Sequence, residues 1–268
     1  METIQANGLQ FVLETRGEGP PLLFLGGTGW DLRDRPNPLD SVLADHFKII
    51  LFDQRGMGRS AKPEGEYTMA DYAEDACGIL DALDIARAHV VGFSFGGMVA
   101  QEFAIRHPQR VDRLVLAATT SGGAGGSSYP IHELTDLPPE ERARRTIEAL
   151  DRGFSPEWQA ANPKEAARRI RERMILQARR ADDAELEAGK RRQLQARAQH
   201  DCYDRLDRIE APTLVIAGDR DGQAPEEYVR NLAARIPNAH MVTLPGTHTL
   251  FAENPANYTT VVDFLRGQ

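Results

Sequence analysis

The stretch AHVVGFSFGGMVAQEFA (residues 88–104) places a serine between a short apolar run and a helical pattern. Its centre, GFSFG (92–96), fits the pattern G-x-S-x-G, in which a serine lies on a sharp turn from a strand to a helix. In so tight a turn, side chains at Gly92 and Gly96 would collide with neighbouring backbone. Because five residues match by chance too often to decide, Ser94 is either a nucleophile or a serine in a glycine-rich loop.

Short apolar runs that each end in a loop recur along the chain, as expected of buried parallel strands. They are LLFL (22–25), FKIILF (47–52), HVV (89–91), LVLAA (114–118), TLVIA (213–217) and MVTL (241–244), and LQFVLETR (9–16) is partly β-like. Helical patterns lie between or after them, at residues 69–83, 97–106, 226–236 and 254–265. This alternation predicts an α/β fold with a doubly wound, mostly parallel sheet and helices on both faces.

Residues 121–208 interrupt the alternation. They open with SGGAGGSS (121–128), expected to be an exposed, flexible hinge, and continue as helical sequence rich in Arg, Ala, Glu and Gln. The arginine clusters near residues 142–145, 168–173 and 191–192 are interleaved with acidic residues, which favours solvated helix faces over a nucleic-acid surface. We therefore expect a core of residues 1–120 and 209–268 and a helical insert of residues 121–208.

Composition narrows the function classes. The net charge of −8 and the pI near 5.4 argue against partners such as nucleic acid or an anionic membrane. Cys77, expected to be buried, and Cys202 are too few for a disulfide framework or thiolate metal cluster. With neither a leader nor an apolar run of membrane length visible, a cytoplasmic location is expected.

A nucleophilic serine needs a base and an acid that orients the base. Of the seven histidines, His248 in PGTHT (245–249) directly follows the last apolar run on a loop, which makes it the best candidate base. GDRDG (218–222) follows the preceding run and offers two carboxylates. Asp221 lies further out on this loop and is preferred as the acid, while Asp219 is closer to the strand and suits a structural bond.

The order Ser94, Asp221, His248 and several motifs together resemble the α/β-hydrolase superfamily. The matching motifs are LLFLGGTG (22–29), DQRGMGRS (53–60), VVGFSFGG (90–97), GDRD (218–221) and GTH (246–248). The core looks most similar to esterases, 3-oxoadipate enol-lactonases, cofactor-free haloperoxidases and carbon–carbon bond hydrolases. The resemblance implies an eight-stranded sheet with a helical cap, residues 121–208, inserted between strands six and seven.

The resemblance also assigns roles around Ser94. An oxyanion hole is expected from the N–H of Phe95 and a second N–H from Thr28 or Gly27, although relatives often have histidine-glycine where this chain has Gly26-Gly27. Candidate substrate-binding residues are Trp30, for which core packing is an equal alternative, and Tyr129 and His132 near the hinge. The charges of DQRGMGRS (53–60) are interpreted as structural ties beneath the site.

These observations favour a serine hydrolase that cleaves a small carboxylic ester or lactone through an acyl-enzyme. A serine rather than an aspartate at position 94 argues against haloalkane dehalogenase and epoxide hydrolase activity. Two alternatives stay open: a carbon–carbon bond hydrolase of a diketone-type substrate, and a ligand receptor with a retained hydrolase fold. No metal cluster or phosphate loop is visible, so no cofactor is expected. The partner is a small-molecule substrate, and a homodimer is compatible with the sequence.

Overall fold

The computed structural model describes residues 1–268 and contains one eight-stranded sheet in the order β1-β2-β4-β3-β5-β6-β7-β8. Strands β1 and β2, and β2 and β4, pair antiparallel, whereas all other neighbours are parallel. The predicted doubly wound, mostly parallel sheet is therefore confirmed. The strands are β1 Glu2–Ala6, β2 Leu9–Arg16, β3 Pro21–Leu25, β4 Lys48–Phe52, β5 Ala88–Phe93, β6 Val111–Ala117, β7 Thr213–Gly218 and β8 Ala239–Leu244.

Nine α-helices accompany the sheet. They are α1 Met69–Ala82, α2 Phe95–Arg106, α3 Pro139–Leu150, α4 Pro156–Ala161, α5 Pro163–Ala178, α6 Ala184–Ala198, α7 Glu226–Arg235, α8 Leu250–Glu253 and α9 Asn257–Leu265. None is both long and apolar enough to cross a membrane.

The strands explain why two cores form. Successive side chains of a strand point to opposite faces, so Leu23 and Leu25 of β3 enter one core while Leu22 and Phe24 enter the other. Helices α1, α2 and α7 cover the first face, and α8 and α9 cover the second. Burial on both faces accounts for the continuous apolar runs seen in the sequence.

Helices α3 to α6 all lie between β6 and β7, as the resemblance implied for the insert. A small core of their own forms from Ala143, Ile147, Phe154, Ala166 and Ile170. The division into a core of residues 1–120 and 209–268 and a cap of residues 121–208 stays a prediction.

The glycine run at residues 121–128 is the expected exposed linker only in part, since Gly123, Ala124 and Ser127 are exposed and other residues are not. Ser121 and Gly122 are buried, and a Cβ on Gly122 would lie 1.9 Å from the His200 carbonyl oxygen. A Cβ on Gly126 would lie 2.3 Å from the ring of Tyr228. Gly122 therefore permits close packing within the insert, and Gly126 permits close packing of the insert against α7.

Three smaller features of the structure also differ from the sequence analysis. The sequence did not point to β1, whose segment ETIQA is mostly exposed at the edge of the sheet. The last helix, expected from residue 254, begins at Asn257 as α9, and the short helix α8, which was not expected, ends at Glu253. Cys77 is half-buried rather than buried, and its sulfur accepts a hydrogen bond from Arg110 at 3.2 Å.

Candidate active site

Ser94 forms the turn between β5 and α2. Its backbone has φ 54° and ψ −117°, outside the usual regions for a side-chain-bearing residue. The turn is possible because its flanking residues are glycines: a Cβ on Gly96 would lie 2.0 Å from the Leu25 carbonyl oxygen, and one on Gly92 2.5 Å from the Gly96 carbonyl oxygen. The geometry presents Ser94 at the carboxyl edge of the sheet with the first turn of α2 directly behind it.

The structure brings Ser94, His248 and Asp221 together in one hydrogen-bonded chain. The Nε2 atom of His248 lies 2.8 Å from Ser94 Oγ, and its Nδ1 atom lies 2.8 Å from Asp221 Oδ2. The three residues are 5%, 4% and 1% exposed, respectively. Because the Asp221 carboxylate can only accept a hydrogen bond, Nδ1 carries the N–H, and the lone pair of the ring lies at Nε2, where it can take the serine proton.

Hydrogen bonds to the backbone hold Asp221 and His248 in position. The second oxygen of Asp221, Oδ1, accepts from the backbone N–H groups of Gln223 at 2.8 Å and Ala224 at 2.9 Å. The backbone N–H of His248 donates to the carbonyl oxygen of Leu150, at the end of α3, at 2.9 Å. Asp219 instead accepts from the backbone N–H of Gly246 at 2.9 Å, so its carboxylate ties two loops together.

The loop after β3 supplies backbone groups beside Ser94. A Cβ on Gly27 would lie 3.5 Å from Ser94 Cβ, which shows how closely this loop approaches the serine. The N–H of Gly29 donates to Gln193 Oε1 at 2.8 Å, whereas those of Gly27, Thr28 and Phe95 donate to no protein acceptor. These three are thus free to bind a developing negative charge.

The DQRGMGRS loop (53–60) contributes ties rather than site residues, as its sequence indicated. Asp53 accepts from the backbone N–H groups of Leu32 at 2.7 Å and Arg59 at 2.9 Å. Burial raises the pKa of this carboxyl group. The side chain of Gln54 donates to the Gly26 carbonyl oxygen at 2.9 Å, which anchors the loop in the place where relatives often have a histidine.

Gln223 is a site residue that the sequence reasoning missed. Its side chain is buried, with Nε2 2.8 Å from His248 Nε2 and 3.4 Å from Ser94 Oγ. Its amide N–H therefore shares the imidazole lone pair with the serine hydroxyl. The available signal was its position two residues after Asp221, in a loop already assigned to the site.

Trp30 lies at an apolar pocket next to the serine. The pocket has a volume of about 210 Å³, and its lining includes Phe24, Trp30, Phe93, Thr249 and Phe251. Phe93 and Thr249 are the chain neighbours of Ser94 and His248, and the Phe93 ring lies 5.6 Å from the His248 ring between centroids. The pocket therefore lies beside the triad and can accommodate an apolar group, and its lining includes neither Ser94 nor His248.

The structure places Tyr129 beside Gln223 and His132 in a different pocket. The backbone N–H of Tyr129 donates to the Gln223 carbonyl oxygen at 2.8 Å, so this residue contacts the site through its main chain. His132 lines a separate polar pocket, and its buried Nδ1 has no protein partner. No cluster of three or more His, Cys, Asp or Glu residues is arranged to hold a metal ion.

The family model described as alpha/beta hydrolase fold matches residues 20–255. The chain belongs to this family. Among solved structures, the enol-lactonase from Burkholderia xenovorans LB400 superposes with a TM-score of 0.78 at 25% identity, covering 99% of this chain and 100% of that one. The arrangement around Ser94 therefore lies in a family of hydrolases, and the recognised resemblance is confirmed.

Curated relatives carry the names of different hydrolases. A poly(3-hydroxyalkanoate) depolymerase from Ectopseudomonas oleovorans is 30% identical over 85% of this chain and 77% of that protein. A 2-hydroxymuconate semialdehyde hydrolase from Pseudomonas putida is 41% identical over 48% of this chain and 44% of that protein. The first mycobacterial relatives are likewise matched over only 38% of their length. The substrate of this chain is therefore open within the family.

Proposed function

We propose that this protein is a serine hydrolase that cleaves a small carboxylic ester or lactone. The observation that carries the proposal is the pair of 2.8 Å distances that link Ser94 Oγ, the His248 ring and Asp221 Oδ2 in a buried site. A neutral imidazole held in this orientation can take the proton of a serine hydroxyl. The imidazolium that results can give this proton to the departing alcohol. The family membership supports hydrolysis, and the enol-lactonase is among its structural relatives.

The proposed first step forms a tetrahedral adduct between Ser94 and the substrate carbonyl. Ser94 Oγ attacks the carbonyl carbon while His248 Nε2 takes the hydroxyl proton, and Asp221 stabilises the resulting imidazolium. The negative charge on the carbonyl oxygen is bound by the N–H of Phe95 and by that of Thr28 or Gly27. The N-terminus of α2, with its partial positive charge, lies behind the same oxygen.

The adduct then collapses to the acyl-enzyme, and water hydrolyses the acyl-enzyme to regenerate Ser94. The imidazolium gives its proton to the leaving alcohol oxygen as the carbon–oxygen bond breaks. Water then attacks the acyl carbon while His248 removes its proton. The imidazolium returns that proton to Ser94 Oγ as the bond between Oγ and the acyl carbon breaks, and the carboxylic acid is released. With a lactone, the alcohol and the acid stay joined in one product.

One observation favours a second reaction. The 2-hydroxymuconate semialdehyde hydrolase is 41% identical in the matched region, so carbon–carbon cleavage of a diketone-type substrate is the alternative within the same fold. Its substrate carbonyl would meet the same serine, histidine and N–H groups. The bond that breaks would be the carbon–carbon bond next to that carbonyl.

A substrate panel tests the proposal. We expect multiple turnovers with p-nitrophenyl esters of short acids or with small lactones, and slower or no cleavage of a vinylogous diketone. The reverse order of rates would favour the carbon–carbon hydrolase. Release of one equivalent of alcohol without further turnover would contradict the proposed enzymatic function and support a receptor that binds its ligand covalently.

A further inference from the structure

Arg197 of α6 is a buried cation without a carboxylate partner. The side chain is 4% exposed, and its Nη1 donates to the Tyr129 carbonyl oxygen at 3.0 Å. Its Nε and Nη2 atoms are buried and have no protein acceptor. The other buried arginine, Arg55, differs, because its Nε and Nη2 donate to the two oxygens of Asp75 at 2.5 and 2.6 Å.

A guanidinium in this setting is costly unless an anion joins it. Removal from water destabilises the charged form, and a neutral carbonyl returns only part of the lost hydration. This burial lowers the pKa of Arg197 to about 10, so the side chain stays protonated at neutral pH. Buried donors without a protein acceptor need another partner, such as a bound water molecule or an anion.

The unpaired guanidinium lines a small polar pocket. The pocket has a volume of about 80 Å³, several times the ~10–15 Å³ that one water molecule requires. Its lining also includes Thr120, Ser127, Ser128, His132 and His200, and contains no aspartate or glutamate. The Thr120 hydroxyl and His132 Nδ1 are buried without a protein partner as well. The pocket thus concentrates hydrogen-bond donors and one positive charge.

This pocket adjoins the candidate active site. Met98, which also lines it, lies one helical turn after Ser94, and its backbone N–H donates to the Ser94 carbonyl oxygen at 3.3 Å. Tyr129 joins the two regions, since its carbonyl oxygen accepts from Arg197 while its N–H donates to Gln223 at 2.8 Å. Gln223 in turn contacts the His248 ring.

We infer that Arg197 and the donors around it form a carboxylate-binding subsite, so that the substrate carries a carboxylate besides the bond that Ser94 cleaves. The inference rests on the proposed function. A carboxylate would pair with Nε and Nη2 of the guanidinium, which are the two free donors of its planar edge. The apolar pocket at Trp30 and the Arg197 pocket would then bind chemically different parts of one substrate.

A binding experiment tests the subsite without requiring turnover. Calorimetric titration of the Ser94→Ala protein with succinate, glutarate and adipate should give measurable binding for at least one acid. We expect the matching diamide to bind at least about tenfold more weakly than the acid. Arg197→Met in the same background should weaken binding of the acid by a similar factor. Equal binding of acid and diamide, or of acid before and after Arg197→Met, would overturn the subsite. Tighter binding of inorganic phosphate than of every acid would also overturn it.

A kinetic experiment then joins the subsite to the reaction. The mono-p-nitrophenyl ester of glutaric acid is compared with p-nitrophenyl butyrate, which lacks the terminal carboxylate. Arg197→Met should lower kcat/KM about 100-fold for the charged ester and less than about threefold for the neutral one. Arg197→Lys should fall between, because lysine keeps the charge but not the planar edge. Arg191→Met, on an exposed part of α6, is the matched control.

The outcomes separate the two proposals. Equal losses for both esters in Arg197→Met would make Arg197 a packing residue and overturn the subsite while leaving the hydrolase intact. If the wild type cleaves neither ester but Ser94→Ala binds a dicarboxylate through Arg197, the proposed function fails and the subsite stands.

Discussion

At the scale of a single residue, Ser94 combines a strained backbone with the role that we propose for its hydroxyl. A non-glycine residue with positive φ costs about 1–3 kcal/mol, which the surrounding packing must offset. Gly92 and Gly96 allow that packing, because both contact backbone at distances that exclude a side chain. The strained turn lets Ser94 reach His248, and the site therefore depends on its glycines as much as on its polar residues.

Asp221→Asn tests which carboxylate orients the base. An amide at this position favours the wrong imidazole tautomer, so kcat on an ester should fall about 10³–10⁴-fold. Asp219→Asn is the matched control from the same loop, where the carboxylate only ties the Gly246 backbone. It should change kcat less than about fivefold and lower the free energy of unfolding by about 1 kcal/mol. A larger loss of kcat in Asp219→Asn would reverse the assignment.

Gln223→Leu tests the amide that competes for the histidine lone pair. The attack requires Nε2 to accept from Ser94, so the Gln223 hydrogen bond must break first at a cost of about 1 kcal/mol. Leucine has a similar size and no donor, and we expect kcat/KM on a neutral ester to rise about two- to fivefold. Gln223→Glu should lower it, because a carboxylate would hold the imidazole in its charged form. A fall of more than tenfold in Gln223→Leu would instead assign the amide a role in turnover.

Sequence reasoning pointed to residues that carry motifs and missed those that do not. Ser94, Asp221 and His248, which the structure brings together, were chosen because each follows an apolar run and their order fits one family. Gln223 and Arg197 have no motif, and their roles depend on which way a loop and a helix present their side chains. A weaker signal existed in α6, where Gln193 and Arg197 are one turn apart and continue the buried face of Leu186 and Leu194.

Helix α6 is hydrogen-bonded to the loop after β3 through Gln193. Gln193 is fully buried, and its Oε1 accepts from the Gly29 N–H beside the proposed oxyanion donors. This bond makes the position of Thr28 and Gly27 depend on the helical insert. Activity should therefore respond to changes in α6 that lie outside the Ser94–His248–Asp221 set.

Gln193→Leu measures that dependence. The loop loses its anchor and the oxyanion donors shift, so kcat should fall about tenfold with little change in KM. Gln195→Ala, an exposed position on the same helix, should leave both constants unchanged. An unchanged kcat together with a lower melting temperature would reduce Gln193 to a structural contact.

Strands were predictable from the sequence where both of their faces are buried, and less so where one face or an edge is exposed. Continuous apolar runs identified β3 to β7 because their strands are covered on both faces. Strand β1 was missed because an edge strand with a mostly exposed sequence shows no such run. The glycine run at residues 121–128 was misread because composition alone does not distinguish a mobile linker from close packing.

At the scale of the whole molecule, we expect acid to destabilise the folded chain through His200. Burial lowers the pKa of this imidazole to about 4, from an ordinary value of 6.5. Between these values the unfolded chain binds a proton that the folded chain does not, so the free energy of unfolding falls as pH falls. We expect about 2 kcal/mol of loss from this residue between pH 7 and pH 5.

Urea denaturation at the two pH values checks this expectation. His200→Gln should show a pH dependence smaller by about that amount, because glutamine does not titrate. His240→Gln, at an exposed position, should keep the wild-type dependence. If His200→Gln and wild type lose equal stability, the acid sensitivity comes from other groups.

The overall architecture was predictable in class but not in detail from the residues alone. Alternating strands and helices predicted a doubly wound sheet, whereas the count of eight strands and the place of the insert came from the family resemblance. The pairing order and the two antiparallel contacts depend on long-range packing that no local pattern encodes. The same holds for Arg197, whose pocket exists only when the insert meets the core.

The most direct test of the central claim is the rate of p-nitrophenyl butyrate hydrolysis by Ser94→Ala relative to wild type. The account predicts a fall of at least about 10⁴-fold, since without the hydroxyl no acyl-enzyme forms. Ser121→Ala, which removes another buried hydroxyl, serves as the control and should keep nearly the wild-type rate. A Ser94→Ala protein that folds normally and hydrolyses the ester within tenfold of wild type would contradict the account.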